Sequence, residues 1–326
     1  MRNVLEAADR VKLYARLLAR WGEMLKGRSY WHVAQQMGKH FVEGELRGYF
    51  NDLTAKTAWA GPVDDRGLPL NRVNGRSLVH FPTTLFQKAL GHWDRWLEQG
   101  MAEDENKNAF LLIADWAVKT QDDKGGWSVW PLLGMNLPSP YSAMTQGQGI
   151  SILVRAHMCS GQRVFLEAAR LALGPLCTTV EQGGTRRVVP EGSILEEVPY
   201  PEPNGVLNGW IFGLFGLYDY LLVDRDVGAA VLLEESLKTL VTYLPRYNAG
   251  YWSYYDLSGN LASPFYHRLH VAQLIALEKT FPKYSSAFGE IRRIFIRQES
   301  LQVNRIRAVI LKAYQKVKNP PKVILE

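Results

Sequence analysis

The side chains in this sequence best suited to moving protons sit in two tyrosine-rich stretches. Tyr251-Trp252-Ser253-Tyr254-Tyr255-Asp256-Leu257 is followed by Phe265-Tyr266-His267-Arg268-Leu269-His270, and nine of the fifteen tyrosines fall between positions 200 and 266. Phenols, imidazoles and a guanidinium beside helix starts suit general acid and base work, which needs groups within hydrogen-bond reach of the reacting atom. They also suit an aromatic core with bonded hydroxyls, and both readings stand at this point. His267 and His270 are one helical turn apart, with Tyr266 on the face of His270. No Glu or third His completes a tetrahedral set, so no metal site is expected.

Two further stretches are unusual. Tyr141-Ser-Ala-Met-Thr-Gln146-Gly147-Gln148-Gly149 leads into Ile150 to His157. Glycines inside a helical pattern each cost about 1 kcal/mol relative to Ala, so something must approach closely there. Gln148 and Arg155 are seven apart and share a helix face. Either that face is a polar stripe lining a cavity, or the glycines admit a neighbouring helix and Arg155 sits at a helix end. The second stretch runs from Tyr200 through Pro201, Pro203, Asn204 and Asn208 to Trp210. Its prolines and a predicted N-cap at Asn204 make a rigid loop opening a helix whose positive end favours an anion. Gly209, Gly213 and Gly216 follow no strand, so they are not a dinucleotide fingerprint.

The elements that position these residues are predicted to be helices. Val11, Tyr14, Leu18, Trp21 and Leu25 form one apolar stripe, and similar stripes run through 83–99, 105–121, 143–159, 162–177, 205–223, 227–244, 267–281, 285–298 and 302–318. Gly, Pro and Asn punctuate them as short turns, for instance at Asp123-Lys124-Gly125-Gly126. The expected fold is mainly α, an α/α toroid built as an incomplete barrel of helical hairpins. The expected domains are 1–82, a helix plus an extended β-hairpin arm turning at Asn74-Gly75, and 83–326, the toroid. Residues 178–204 form a non-helical insertion with a predicted strand from Arg186 to Val189.

Composition narrows the class. With 47% hydrophobic and 21% charged residues the 326-residue chain is globular, not disordered or collagenous. Cys159 and Cys177 are too few for a disulfide framework and lack metal-finger spacing. The N-terminus is charged from its second residue and shows no signal peptide, so a cytoplasmic protein is expected. Val206 to Val223 is apolar, but Asn208 and Asp219 interrupt it, so a buried helix is expected and no membrane span. The net charge of +6 is mild. Residues 283–326 hold ten Lys and Arg against three Glu, which leaves −1 for the rest, so nucleic acid is not the expected partner.

At the three segments the sequence resembles the C-terminal domain of the heparan sulfate/heparosan glucuronyl C5-epimerase family. The matching stretches are Tyr141 to Ala156, Val206-Leu-Asn-Gly with Gly216-Leu-Tyr-Asp219, Tyr255-Asp-Leu, and Tyr266-His-x-x-His270 with Gln273-Leu, in order across roughly 110–280. The resemblance implies an α/α-barrel, an anionic glucuronate polysaccharide as partner, a homodimer, no cofactor, and inversion of D-glucuronate at C5 to L-iduronate. It carries proton transfer onto Tyr255 and Tyr266. The family's Glu-Glu-Tyr-Pro reads Glu196-Glu197-Val198-Pro199-Tyr200-Pro201 here, which leaves Tyr200 and Glu197 as candidates for the remaining base. Tyr141, Gln146, Gln148, Arg155, Asn208, His267 and His270 are the expected carboxylate and hydroxyl contacts, and Trp127, Trp130 and Trp252 the expected subsite walls. A uronate lyase, which begins with the same proton abstraction, and a non-catalytic polysaccharide-binding toroid are the alternatives.

Overall fold

A computed structural model describes residues 15, 18, 19, 32–101, 104–319, 323 and 325. The stripe from Val11 to Leu25 lies, apart from Leu18, outside the described residues. Among the described residues nine helices follow: α1 Pro82–Glu98, α2 Asp104–Thr120, α3 Ala143–Ser160, α4 Arg163–Cys177, α5 Leu207–Leu221, α6 Val227–Tyr243, α7 Pro264–Thr280, α8 Ser285–Ser300 and α9 Gln302–Lys318. The chain is mainly helical. α1, α3, α5 and α7 pack side by side as an inner layer, and α2, α4, α6 and α8 back them one for one. Each of the four inner helices thus forms a hairpin with the next.

Burial explains the layering. From Leu207 to Leu217 α5 is buried at every position, and α3 is nearly so from Ala143 to Ala156. Helices that are apolar all round belong inside, whereas α4 and α6 each keep an exposed face. The close pairing of α3 and α5 depends on glycine. A Cβ on Gly147 would stand 2.2 Å from the Phe212 carbonyl oxygen, and one on Gly216 would stand 2.3 Å from the Gly147 Cα. Of the two readings of these glycines, the admission of a neighbouring helix therefore holds. The apolar run from Val206 to Val223 is this buried helix. Among the described residues no helix is long and apolar enough to cross a membrane.

Two antiparallel hairpins join the helices among the described residues. β1 (Asn71–Val73) pairs with β2 (Ser77–Val79), and Asn74 and Gly75 both take positive φ in the turn, as the Asn-Gly pair predicts. β3 (Arg186–Val189) pairs with β4 (Gly192–Leu195) and delivers the chain to Glu196 and Glu197. Residues before α1 join the main core, for Tyr49, Phe50 and Leu53 are fully buried and the Phe50 ring stacks on Phe215 at 3.8 Å.

Two helix starts differ from expectation. α7 begins at Pro264, three residues early, because Pro264 occupies its first turn and the Ser263 hydroxyl accepts from the Tyr266 amide. Asn204 is not an N-cap. Gly205 turns the chain at φ +51°, α5 starts at Leu207, and the Leu207 amide donates to the Tyr255 carbonyl at 3.0 Å. The Asn204 side chain instead accepts from the Ser258 hydroxyl at 3.1 Å.

Candidate active site

The two glutamates after β4 have different tasks. Glu196 is fully buried and accepts from the amides of Asn204 and Gly205, each at 2.9 Å, while its carbonyl accepts from the first amide of α3, that of Ala143. It braces the 199–206 loop against α3. Glu197, also buried, accepts from Asn208 Nδ2 at 3.2 Å and from the Tyr255 hydroxyl at 3.4 Å. Gly209 makes room for it, since a Cβ there would stand 2.2 Å from Glu197 Oε2.

Tyr255 reaches this carboxyl because its loop is stitched to the start of α5. Besides the Leu207 bond, the Leu257 amide donates to the Asn204 carbonyl at 2.9 Å. Asp256 holds the turn, accepting from the amides of Ser258 and Asn260 and from Asn260 Nδ2. The Tyr266 ring, in the first turn of α7, meets the Tyr255 ring edge-on with centres 4.8 Å apart. His32 approaches Tyr266 from the other end of the chain, ring centres 6.2 Å apart.

The histidine pair supports this wall. The Ser253 amide donates to His267 Nδ1 at 3.2 Å, so the ring hydrogen lies on Nε2, which donates to the Phe295 carbonyl at 3.0 Å. The His267 ring also stacks on Trp252 at 3.8 Å, which makes it a structural post. His270 shares the Ser253 hydroxyl through Nδ1 at 3.1 Å, and its Nε2 is buried without a hydrogen-bond partner among the described residues. One turn along α7, Gln273 donates to the Asn208 carbonyl at 3.1 Å and leaves Oε1 unpartnered, as is Asn208 Oδ1. Gln148 on α3 has both polar ends buried and without a partner among the described residues. Buried polar groups of this sort are costly unless something bonds them, so the inner faces of α3, α5 and α7 carry unused donors and acceptors.

Burial sets the protonation states. It pushes the Glu197 carboxyl up to about 8 and the Glu196 carboxyl to about 7, and holds the Tyr255 phenol well above its usual range. It also drives His267 down to about 4 and His270 to about 3. At neutral pH the Tyr255 phenol is protonated, the two imidazoles are neutral, and Glu197 is poised to gain or lose a proton. A carboxyl with that value beside a phenol is what general acid-base exchange near neutrality requires.

The remaining predicted residues are placed differently. Tyr200 is 40% exposed and lies outside the Glu197–Tyr255 bond, although its phenol feels the charges of Glu197 and Asp256. Arg155 is not a free carboxylate ligand. Its guanidinium bonds Asp219 at 2.6 Å and the carbonyls of Arg47, Gly48 and Ser151, all five donors being spent. Gln146 clamps the 121–127 turn through the Trp127 amide, and the Tyr141 hydroxyl donates to Asp122 in the same turn. The tryptophans predicted as subsite walls are buried, with their indole N–H groups donating to the carbonyls of Ala117 (Trp127), Tyr141 (Trp130) and Ala262 (Trp252). Sequence reasoning missed Gln273 as a site residue, although its spacing of seven from Tyr266 puts both on one side of α7. It also did not single out Lys312 of α9, whose Nζ stands 5.8 Å from the centre of the Tyr255 ring.

The features define a mainly α protein of layered helical hairpins, with a buried carboxyl–phenol pair where three inner helices begin. Within that class the chain belongs to the D-glucuronyl C5-epimerase family, whose C-terminal region matches residues 121–294. It is 34% identical over 193 residues to a D-glucuronyl C5-epimerase of Caenorhabditis elegans, a match covering 52% of this chain and 31% of that one. It is 32% identical over 143 residues to an uncharacterized protein of Methanocaldococcus jannaschii, covering 41% of this chain and 45% of that one. The chain thus spans less than half the length of these curated relatives.

Proposed function

We propose that the protein inverts C5 of D-glucuronate within a heparosan-like polysaccharide, giving L-iduronate. The observation that carries the reading is the contact of the buried Glu197 carboxyl with Tyr255, itself in ring contact with Tyr266. The C5 proton lies alpha to a carboxylate and is weakly acidic, and inversion requires its removal from one ring face and delivery of another to the opposite face. In this mechanism Tyr255 takes H5 while passing its own proton to the Glu197 carboxylate, and Tyr266 gives its proton to C5 from the other side. Water then reprotonates the Tyr266 phenolate and Glu197 releases its proton. The unpartnered polar atoms of Gln148, Asn208, His270 and Gln273 supply hydroxyl contacts. Glu197, not Tyr200, takes the place of the third proton-transfer group, because it alone of the two bonds Tyr255.

The test is NMR of a defined non-sulfated glucuronan incubated with the protein in heavy water. Deuterium at C5, iduronate signals and unchanged chain length are expected. Unsaturated uronate ends with chain shortening would make the protein a lyase, and binding without exchange would make it a polysaccharide-binding protein.

A further inference from the structure

Inverting a carbon beside a carboxylate builds negative charge on that carboxylate, and a placed cation is the ordinary means of holding it. Three other candidate cations are engaged. Arg155 is bound by Asp219 and three carbonyls, Arg187 by Glu181 and the Tyr200 carbonyl, and Arg268 by Glu299 at 3.5 Å. The histidines are held neutral by burial.

Lys312 is different. It comes from α9, eighteen residues beyond the end of the family match at 294. α9 is folded back onto the Tyr255 loop, where Gln315 accepts from the Leu261 amide at 3.0 Å and donates to the Gly259 carbonyl at 3.2 Å. Ala308 and Leu311 pack there with Tyr255 and Tyr266. Half-buried among them, the Lys312 ammonium stands 5.8 Å from the Tyr255 ring centre and has no ion-pair partner among the described residues. Asp256, whose charge acts on this amine, is spent on the amides of its own turn.

We propose that the Lys312 ammonium takes the C5 carboxylate of the uronate beside Tyr255, making α9 part of the substrate site. Burial, with Lys316 nearby, already pushes this amine down to about 8, and an arriving carboxylate relieves that cost. The inference rests on the proton-transfer reading above.

The experiment measures binding by calorimetry of a short non-sulfated glucuronan fragment and of the same fragment with its carboxylates reduced to alcohols. The wild-type protein, Lys312→Met and Lys312→Arg are compared, with thermal melts confirming folding. The wild type is expected to prefer the carboxylate form by about 10- to 100-fold, Lys312→Met to lose the preference, and Lys312→Arg to keep part of it. If Lys312→Met keeps the full preference, or the wild type has none, the inference is overturned. Should Lys312→Met fail to fold, Lys312→Gln replaces it with the same two outcomes. Carboxylate preference without C5 exchange by the wild type would instead overturn the proposed function and leave this contact standing.

Discussion

At the scale of single residues, the account turns on Glu197. Its folded value of about 8 lies above the ordinary 4.5, so between those pH values the folded chain keeps a proton that the unfolded chain has released. Stability drawn from this group therefore falls as pH rises through that window and levels off above about 8. Glu197→Gln should gain on the wild type in melting temperature between pH 5 and pH 8; a constant difference across that range would contradict the buried, protonated carboxyl. Arg155 shows the opposite outcome for a polar side chain in the same interior. Arg155→Met leaves Asp219 buried and unpaired, and should cost about 3–5 kcal/mol in urea unfolding. The folded variant should keep the KM of the proposed C5 exchange, whereas a raised KM would return Arg155 to the substrate. Sequence spacing placed Gln148 and Arg155 on one helix face, which is correct, but Arg155 is claimed by Asp219, 64 residues away, and Gln148 is not. Such long-range pairing leaves no mark in local spacing.

At the scale of elements, helix periodicity was legible nearly throughout, since burial against a second layer requires an apolar stripe. Starts were harder to read. Asn204 has the chemistry of a cap, yet Gly205 turns the chain between it and α5, so the loop that zips to Tyr255 took its place. The glycines were legible as close approaches but not as to what approaches. Gly147→Ala sets a Cβ against backbone and should cost about 1–3 kcal/mol or more, read as a lowered urea midpoint. Gly209→Ala sets a Cβ 2.2 Å from Glu197 Oε2 and 2.4 Å from Glu197 Cβ, so its expected effect is a large loss of C5 exchange together with a lowered melting temperature. C5 exchange at the wild-type rate in Gly209→Ala would refute the placing of Glu197 against this glycine.

At the scale of the whole molecule, the sequence showed a basic C-terminal segment but not its position. Composition reports charge without direction. Folding α9 back onto the Tyr255 loop brings one of those lysines to the site, while Val303, Ile306, Ile310, Tyr314 and Val317 stay exposed on the same helix. A chain ending at Ser300 should keep the hairpin layers, seen as a cooperative melt and a strong helical circular dichroism signal. It should lose C5 exchange, because the Tyr255 loop loses its Gln315 bonds and its cation. Full activity in that truncation would remove α9 from the site. The central claim, that Tyr255 in contact with Glu197 moves the C5 proton, is tested most directly by the rate of deuterium incorporation at C5 of a glucuronan in heavy water. Tyr255→Phe, folded to the same melting temperature as the wild type, should slow incorporation by about 100-fold or more; incorporation at the wild-type rate would contradict the account.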